Sequence, residues 1–171
     1  MARRLISGFS GAVAVLAVVC VLPAIALAAR DISASMKPFV VQGRVFCDTC
    51  QAGFETPMST YIQGAKVRVE CRSKTTGAKT CSFDGTTDHT GTYKIVVADE
   101  HEHEICESTI VSSPVNNCKT ALQGRERARV FLSRNNGIAS DIRYANALGF
   151  QKDSPLPACA ELMKTYEQNE V

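Results

Sequence analysis

A chain of 171 residues with 19 basic and 17 acidic side chains has a formal net charge of only +2, which leaves no electrostatic footprint for nucleic acid and no polybasic cluster for anionic lipid. The length fits one ordinary domain with a real core, and no repeat or low-complexity tract suggests an array or a disordered tail. Tryptophan is absent, and the eight cysteines are the unusual feature of the composition.

In chain order, Arg3 and Arg4 precede an apolar run over residues 11–28 that ends in Ala26-Leu27-Ala28. This predicts a secretory signal peptide over residues 1–28, cut after Ala28. Pro23 interrupts the run and no second apolar stretch follows, which argues against a membrane anchor. Cleavage would leave 143 residues with 17 basic and 17 acidic side chains, and would remove Cys20. The seven remaining cysteines then read as three disulfides and one spare thiol in an extracellular protein, with the pairing left open by arithmetic alone. No Asn-x-Ser/Thr sequon occurs in that part of the chain.

Residues 29–37 are polar and without periodicity, and are expected to form a flexible arm before a domain over 38–171. From Pro38 onward, short runs of period-two alternation separated by turn residues predict a mainly β fold. The expectation is a single antiparallel sandwich or barrel of about seven short strands. "VVQGRVF" is the first strand, with Gly43 marking a bulge or a close backbone approach. "GAKVRVEC" alternates cleanly, with Val67, Val69 and Cys71 on one face and Lys66, Arg68 and Glu70 on the other. "TCSF" is a short strand, and "DGTTDHTG" is dense in turn formers. It predicts a hairpin into "TYKIVVA", with Gly91 at positive φ. "ICESTIVSS", "RARVFLS" and "SDIRYA" supply the later strands, and "PACAELMKTYEQNE" carries the one helical stripe, Ala160, Leu162, Met163 and Tyr166.

Little here looks like catalysis. Cys47-Asp48-Thr49-Cys50 has the spacing of a redox motif, but Gln51-Ala52-Gly53 and Pro57 follow it instead of a helix, and Asp48 supplies the wrong charge to lower a thiol pKa. No second cysteine pair at similar spacing completes a zinc site. The structural alternative is that, on an extended strand, residues 47 and 50 leave on opposite sides and reach different partners. In "DEHEHE", His101 and His103 would share one face of a strand and could hold a metal, although a solvated hairpin tip fits the same mixed charge run. His89 sits in a turn sequence and is expected to be exposed. Cys81 is either a half-buried thiol or a handle for an intermolecular bridge. No nucleophile elbow is present. The reading is therefore of a protein without catalytic residues, metal or cofactor.

The stretches "VQGRVFCDTCQAGF", "IQGAKVRVEC", "TDHTGTYKI", "ICESTIVSSP", "NNC" and "NALGFQKDSPLPAC" together resemble the pollen Ole e I family over about residues 39–164. Phe46 stands where the family usually has Tyr, Gln51 where it has Arg, and Ala147 where Pro commonly precedes Leu-Gly. The resemblance implies a compact prealbumin-like β-sandwich or barrel with one short C-terminal helix. It implies disulfides Cys47 to Cys118, Cys50 to Cys159 and Cys71 to Cys106, leaving Cys81, which matches no usual family cysteine, as the free thiol. It further implies a monomeric, non-enzymatic, secreted protein of the extracellular space or wall, acting in pollen hydration, germination or tube growth. Its partner would be a cell-surface receptor kinase or a cell-wall component. A polysaccharide-binding module is the alternative, with Tyr61 and Tyr144 as the aromatic platforms, and a small secreted enzyme the less favoured one.

Overall fold

The computed structural model describes residues 37–168, so the expected signal peptide and nearly all of the expected arm lie outside the described residues. Within that span the chain forms β1 (Phe39–Asp48), β2 (Thr60–Tyr61), β3 (Lys66–Ser73), β4 (Lys79–Thr86), β5 (Thr92–Val97), β6 (Glu104–Ser112), β7 (Thr120–Ala121), β8 (Arg127–Val130), β9 (Ile142–Tyr144), β10 (Leu148–Gln151) and α1 (Cys159–Gln168). The fold is mainly β, with two sheets, one short helix near the C-terminus and three disulfides.

β1 organises the first sheet by pairing twice. Its first half lies between antiparallel β5 and parallel β9. Its second half lies between antiparallel β2 and parallel β10, which in turn pairs with β7. The second sheet runs β4-β3-β6-β8, antiparallel throughout. Two parts of the sequence expectation change here. There are ten strands instead of about seven, because β2 and β7 are too short to show a period and β10 is buried on both faces. Two of the pairings are parallel, because the chain after β8 returns alongside β1 in the same direction.

The core lies between the sheets, where Phe39, Val41, Val45 and Cys47 of β1 meet a cluster that includes Val67, Val69 and Cys71 of β3 and Tyr93, Ile95 and Val97 of β5. Burial alternates along β3 and β5 as their sequences predict, since successive side chains leave opposite faces of a strand. β4 lies at the edge of its sheet and has no fully buried residue, its inner side chains being only half-buried. The second half of β1 is buried on both faces: on the outer side Phe46 and Leu122 close over Gly149, leaving no room there for a Cβ.

The expected close approach at Gly43 is present. Gly43 pairs with Tyr93, whose ring lies across it so tightly that a Cβ would fall 2.3 Å from the phenol oxygen. That oxygen accepts a 2.8 Å hydrogen bond from Ser108 Oγ of β6, so one buried contact ties the two sheets together through the core. Desolvation by burial pushes the Tyr93 phenol up to about 12, with the Ser108 bond opposing it.

Gly91 has φ of +72°, and Asp88 Oδ1 accepts the backbone N–H groups of Thr90 and Thr92, as a tight turn requires. The turn does not make the expected hairpin, however. β4 and β5 belong to different sheets, and Ile95 packs against the bare face of Gly85 from across the core. The "DEHEHE" segment is likewise a connection from one sheet to the other, between β5 and β6, and not the tip of a hairpin. Turn chemistry is local, whereas sheet membership is set by which faces must be buried together.

Candidate functional site

The Cys47-Asp48-Thr49-Cys50 stretch forms a corner at the end of β1. Cys47 is bonded to Cys118, and Cys50 to Cys159 at the start of α1. The two cysteines take separate partners, but the strand stops at Asp48 and does not run on to Cys50. Asp48 is fully buried, and its carboxylate accepts N–H bonds from Cys50 at 3.1 Å and Gly53 at 2.8 Å. Gln51 adopts a positive φ of 54° and donates from Nε2 to the carbonyl of Lys152. Thr49 donates to the Met58 carbonyl, and its own carbonyl accepts from Leu156 N. No thiol is available at this corner. The charge that speaks against redox chemistry in the sequence is here the acceptor that closes the turn.

α1 is fastened by Cys159 and by an edge-to-face contact of Tyr166 with Phe54 at 5.3 Å. Its remaining apolar residues are at most half-buried, and Ala160 of the expected stripe is exposed.

The third disulfide, Cys71 to Cys106, links β3 to β6, and Cys81 of β4 lies directly opposite Cys71 on the other side. Cys81 is free and half-buried. Burial, then the Glu104 carboxylate, pushes its thiol up from the ordinary range. Beside it lies His101, whose Nδ1 is 3.9 Å from Cys81 Sγ and 2.7 Å from Glu104 Oε2. His103 is exposed, so the structure does not bring the two histidines of "DEHEHE" together. His89 is exposed in its turn.

A second feature lies on the face carrying the end of β8 and β9. Arg129, Phe131, Ile138, Tyr144 and Asn146 line an open groove of about 520 Å³. Phe131 is 60 % exposed and Tyr144 73 %, and the Arg129 guanidinium lies 5.5 Å from the Phe131 ring centre. Tyr61, the other expected platform, is 37 % exposed but engaged: Arg44 covers its ring at 3.3 Å and its hydroxyl donates to Glu55.

Arg143 builds the floor of this groove. It is almost fully buried and donates to the carbonyls of Phe131 at 2.9 Å, Ser133 at 3.0 Å and Ser140, which holds the loop between β8 and β9. Desolvation pulls its pKa down from the usual arginine value, opposed by the nearby Asp141. Arg143 and Arg134 both place their guanidinium groups over the ring of Phe39, at 4.7 and 4.4 Å. Sequence reading missed Phe131 and Arg143. For Phe131 the signal was present, since the alternation that turns Val130 and Leu132 inward turns Phe131 outward. Nothing in "DIRYA" marks Arg143 as buried.

These elements define a disulfide-stapled β-sandwich with a short fastened helix. The family model described as "Pollen protein Ole e 1 like" matches residues 37–167, and the chain belongs to that family. It is 45 % identical over 153 residues to the pollen-specific protein C13 of Zea mays, covering 90 % of this chain and 89 % of that one. To the anther-specific protein LAT52 of Solanum lycopersicum it is 44 % identical, over 73 % of this chain and 78 % of the other. Among solved structures, the major plantain pollen allergen Pla l 1 superposes with a TM-score of 0.64 at 27 % identity, over 71 % of this chain and 99 % of that chain. None of the described helices is long and apolar enough to cross a membrane.

Proposed function

We propose that this protein is a secreted, non-enzymatic ligand that acts in pollen hydration, germination or tube growth by binding a cell-surface receptor through the groove between Phe131 and Tyr144. The observation that carries the reading is that two widely exposed aromatic rings, Phe131 and Tyr144, line one groove with Arg129, whose guanidinium lies beside Phe131, over a buried Arg143 that ties the loop between β8 and β9 through three carbonyls. Aromatic and arginine side chains are the residues on which binding energy concentrates, and a pre-organised surface loses little on ordering when it binds. The pollen- and anther-specific names of two relatives point to the tissue. The three disulfides suit an oxidising, extracellular setting.

Capture from pollen membranes by the immobilised protein tests this reading. A receptor ectodomain retained by the wild type and lost with the Phe131→Ala, Tyr144→Ala double variant is the expected result. Equal capture by both would remove the groove from the reading. Unchanged germination and tube growth after loss of the gene, in a plant without a redundant copy, would remove the function.

A second reading, a wall-polysaccharide module, is favoured by Tyr144 alone, since sugar rings stack on open aromatic faces. A glycan array without signal would dispose of it.

A further inference from the structure

The geometry points to a metal site at the end of the second sheet, in which Cys81, His101 and Glu104 bind a divalent zinc-class cation and leave a fourth position open to water. Among the described residues, one group of cysteine, histidine and carboxylate side chains converges with all its donor atoms within 4.8 Å of one another: Cys71, Cys81, His101 and Glu104. Cys71 is committed to its disulfide with Cys106 and forms a wall of the site. The other three offer sulfur, nitrogen and oxygen, the donor set that suits zinc.

Their support resembles that of a ligand shell. His101 Nε2 faces the Ala98 carbonyl at 3.0 Å, and a metal-binding histidine commonly donates its second ring N–H to such a carbonyl, which leaves the other nitrogen for the ion. The backbone holds the ring as well: His101 N donates to the Leu132 carbonyl at 2.8 Å, and the His101 carbonyl accepts from Glu104 N at 3.1 Å. Both side chains are largely buried, at 10 % and 22 % exposure. A cleft of about 160 Å³ opens on the His101 and Glu104 side of the cluster, lined by both residues together with Lys74, Arg129 and Phe131. Lys74 turns its Nζ onto the Glu102 carbonyl.

The distances fit with little movement. Tetrahedral zinc at ordinary bond lengths separates sulfur from nitrogen by about 3.5 Å and nitrogen from oxygen by about 3.4 Å. Here the sulfur–nitrogen separation is 3.9 Å and the nitrogen–oxygen separation 2.7 Å. The close Nδ1 to Oε2 approach is a hydrogen bond, so the cation replaces the proton between them and Glu104 withdraws by about 0.7 Å. Cys81 binds as thiolate. Both displaced protons pass to the buffer, and no oxidant or reductant is needed.

The test is calorimetric titration of the disulfide-bonded protein, first freed of metal by chelator and dialysis, with zinc chloride at neutral pH. One ion per chain is expected, with affinity falling at least about tenfold in Cys81→Ser and in His101→Ala, and unchanged in His103→Ala. Cobalt(II) should give a thiolate-to-cobalt charge-transfer band that Cys81→Ser abolishes. An intact three-disulfide peptide map for each variant excludes misfolding as the cause. Absence of zinc heat in the wild type overturns the proposal, as does full-affinity binding that survives both ligand substitutions.

Discussion

The Cys47-Asp48-Thr49-Cys50 corner and the Cys81 site invert what their sequences suggest. The corner has two cysteines at a spacing that reads as chemistry, yet both are locked in disulfides and buried around the Asp48 carboxylate. Cys81 is isolated in sequence, yet His101 and Glu104 converge on it from the connection between β5 and β6 and from the start of β6. Sequence spacing describes what a loop can do locally. Reactive groups are brought together by the sheets, which place residues 20 or more apart in neighbouring positions.

If the corner is structural and the Cys81 site is not, removing the corner should cost most. The Cys50→Ser, Cys159→Ser double variant opens a loop of sequence separation 109. It should lower unfolding free energy by about 4 to 5 kcal/mol in the chain-entropy limit, measured by urea denaturation. A loss below about 1 kcal/mol would mean that the corner holds without its disulfide.

Gly43→Ala tests the Tyr93 contact that ties the two sheets together. The new methyl would enter the volume of the buried Tyr93 ring, so a loss of about 3 kcal/mol is expected from overpacking. Asp48→Ala leaves the N–H groups of Cys50 and Gly53 without their acceptor, which should cost about 2 kcal/mol. Asp48→Asn, which keeps an acceptor oxygen, should recover part of that.

Tyr93 adds a pH signature to the same tie. Its phenol is pushed up to about 12 in the folded protein, against about 10 in the unfolded chain. Below pH of about 10 both states hold the proton and the contribution is fully present. Between the two values the unfolded chain has shed it while the folded one keeps it, so stability falls as pH rises through that window. Alkaline spectrophotometric titration should show Tyr93 as a late tyrosine that disappears in Tyr93→Phe. At the small end, Cys81→Ser should change stability by less than about 1 kcal/mol. A larger loss would make Cys81 a packing residue first.

Most of the strands were legible in the sequence because β3, β5, β6 and β8 are buried mainly on one face and therefore alternate. β10 escaped because Leu148-Gly149-Phe150 is buried on both faces and shows no period. β2 and β7 escaped because two residues cannot show one. The turn at Gly91 was legible from its residues, while the placement of its two strands in different sheets was not.

By itself the sequence determined the β class, the close approach at Gly43, the positive φ at Gly91 and, through its family motifs, the cysteine frame. These depend on side-chain periodicity and backbone sterics, which act within a few residues. Only the tertiary structure decided that Asp48 closes a turn, that Arg143 lies buried under the aromatic groove, and that Cys81 faces His101 and Glu104. The last two depend on which distant carbonyl or side chain the packing of the chain brings within reach, whereas Asp48 bonds amides only two and five residues on, once the corner has folded back around it.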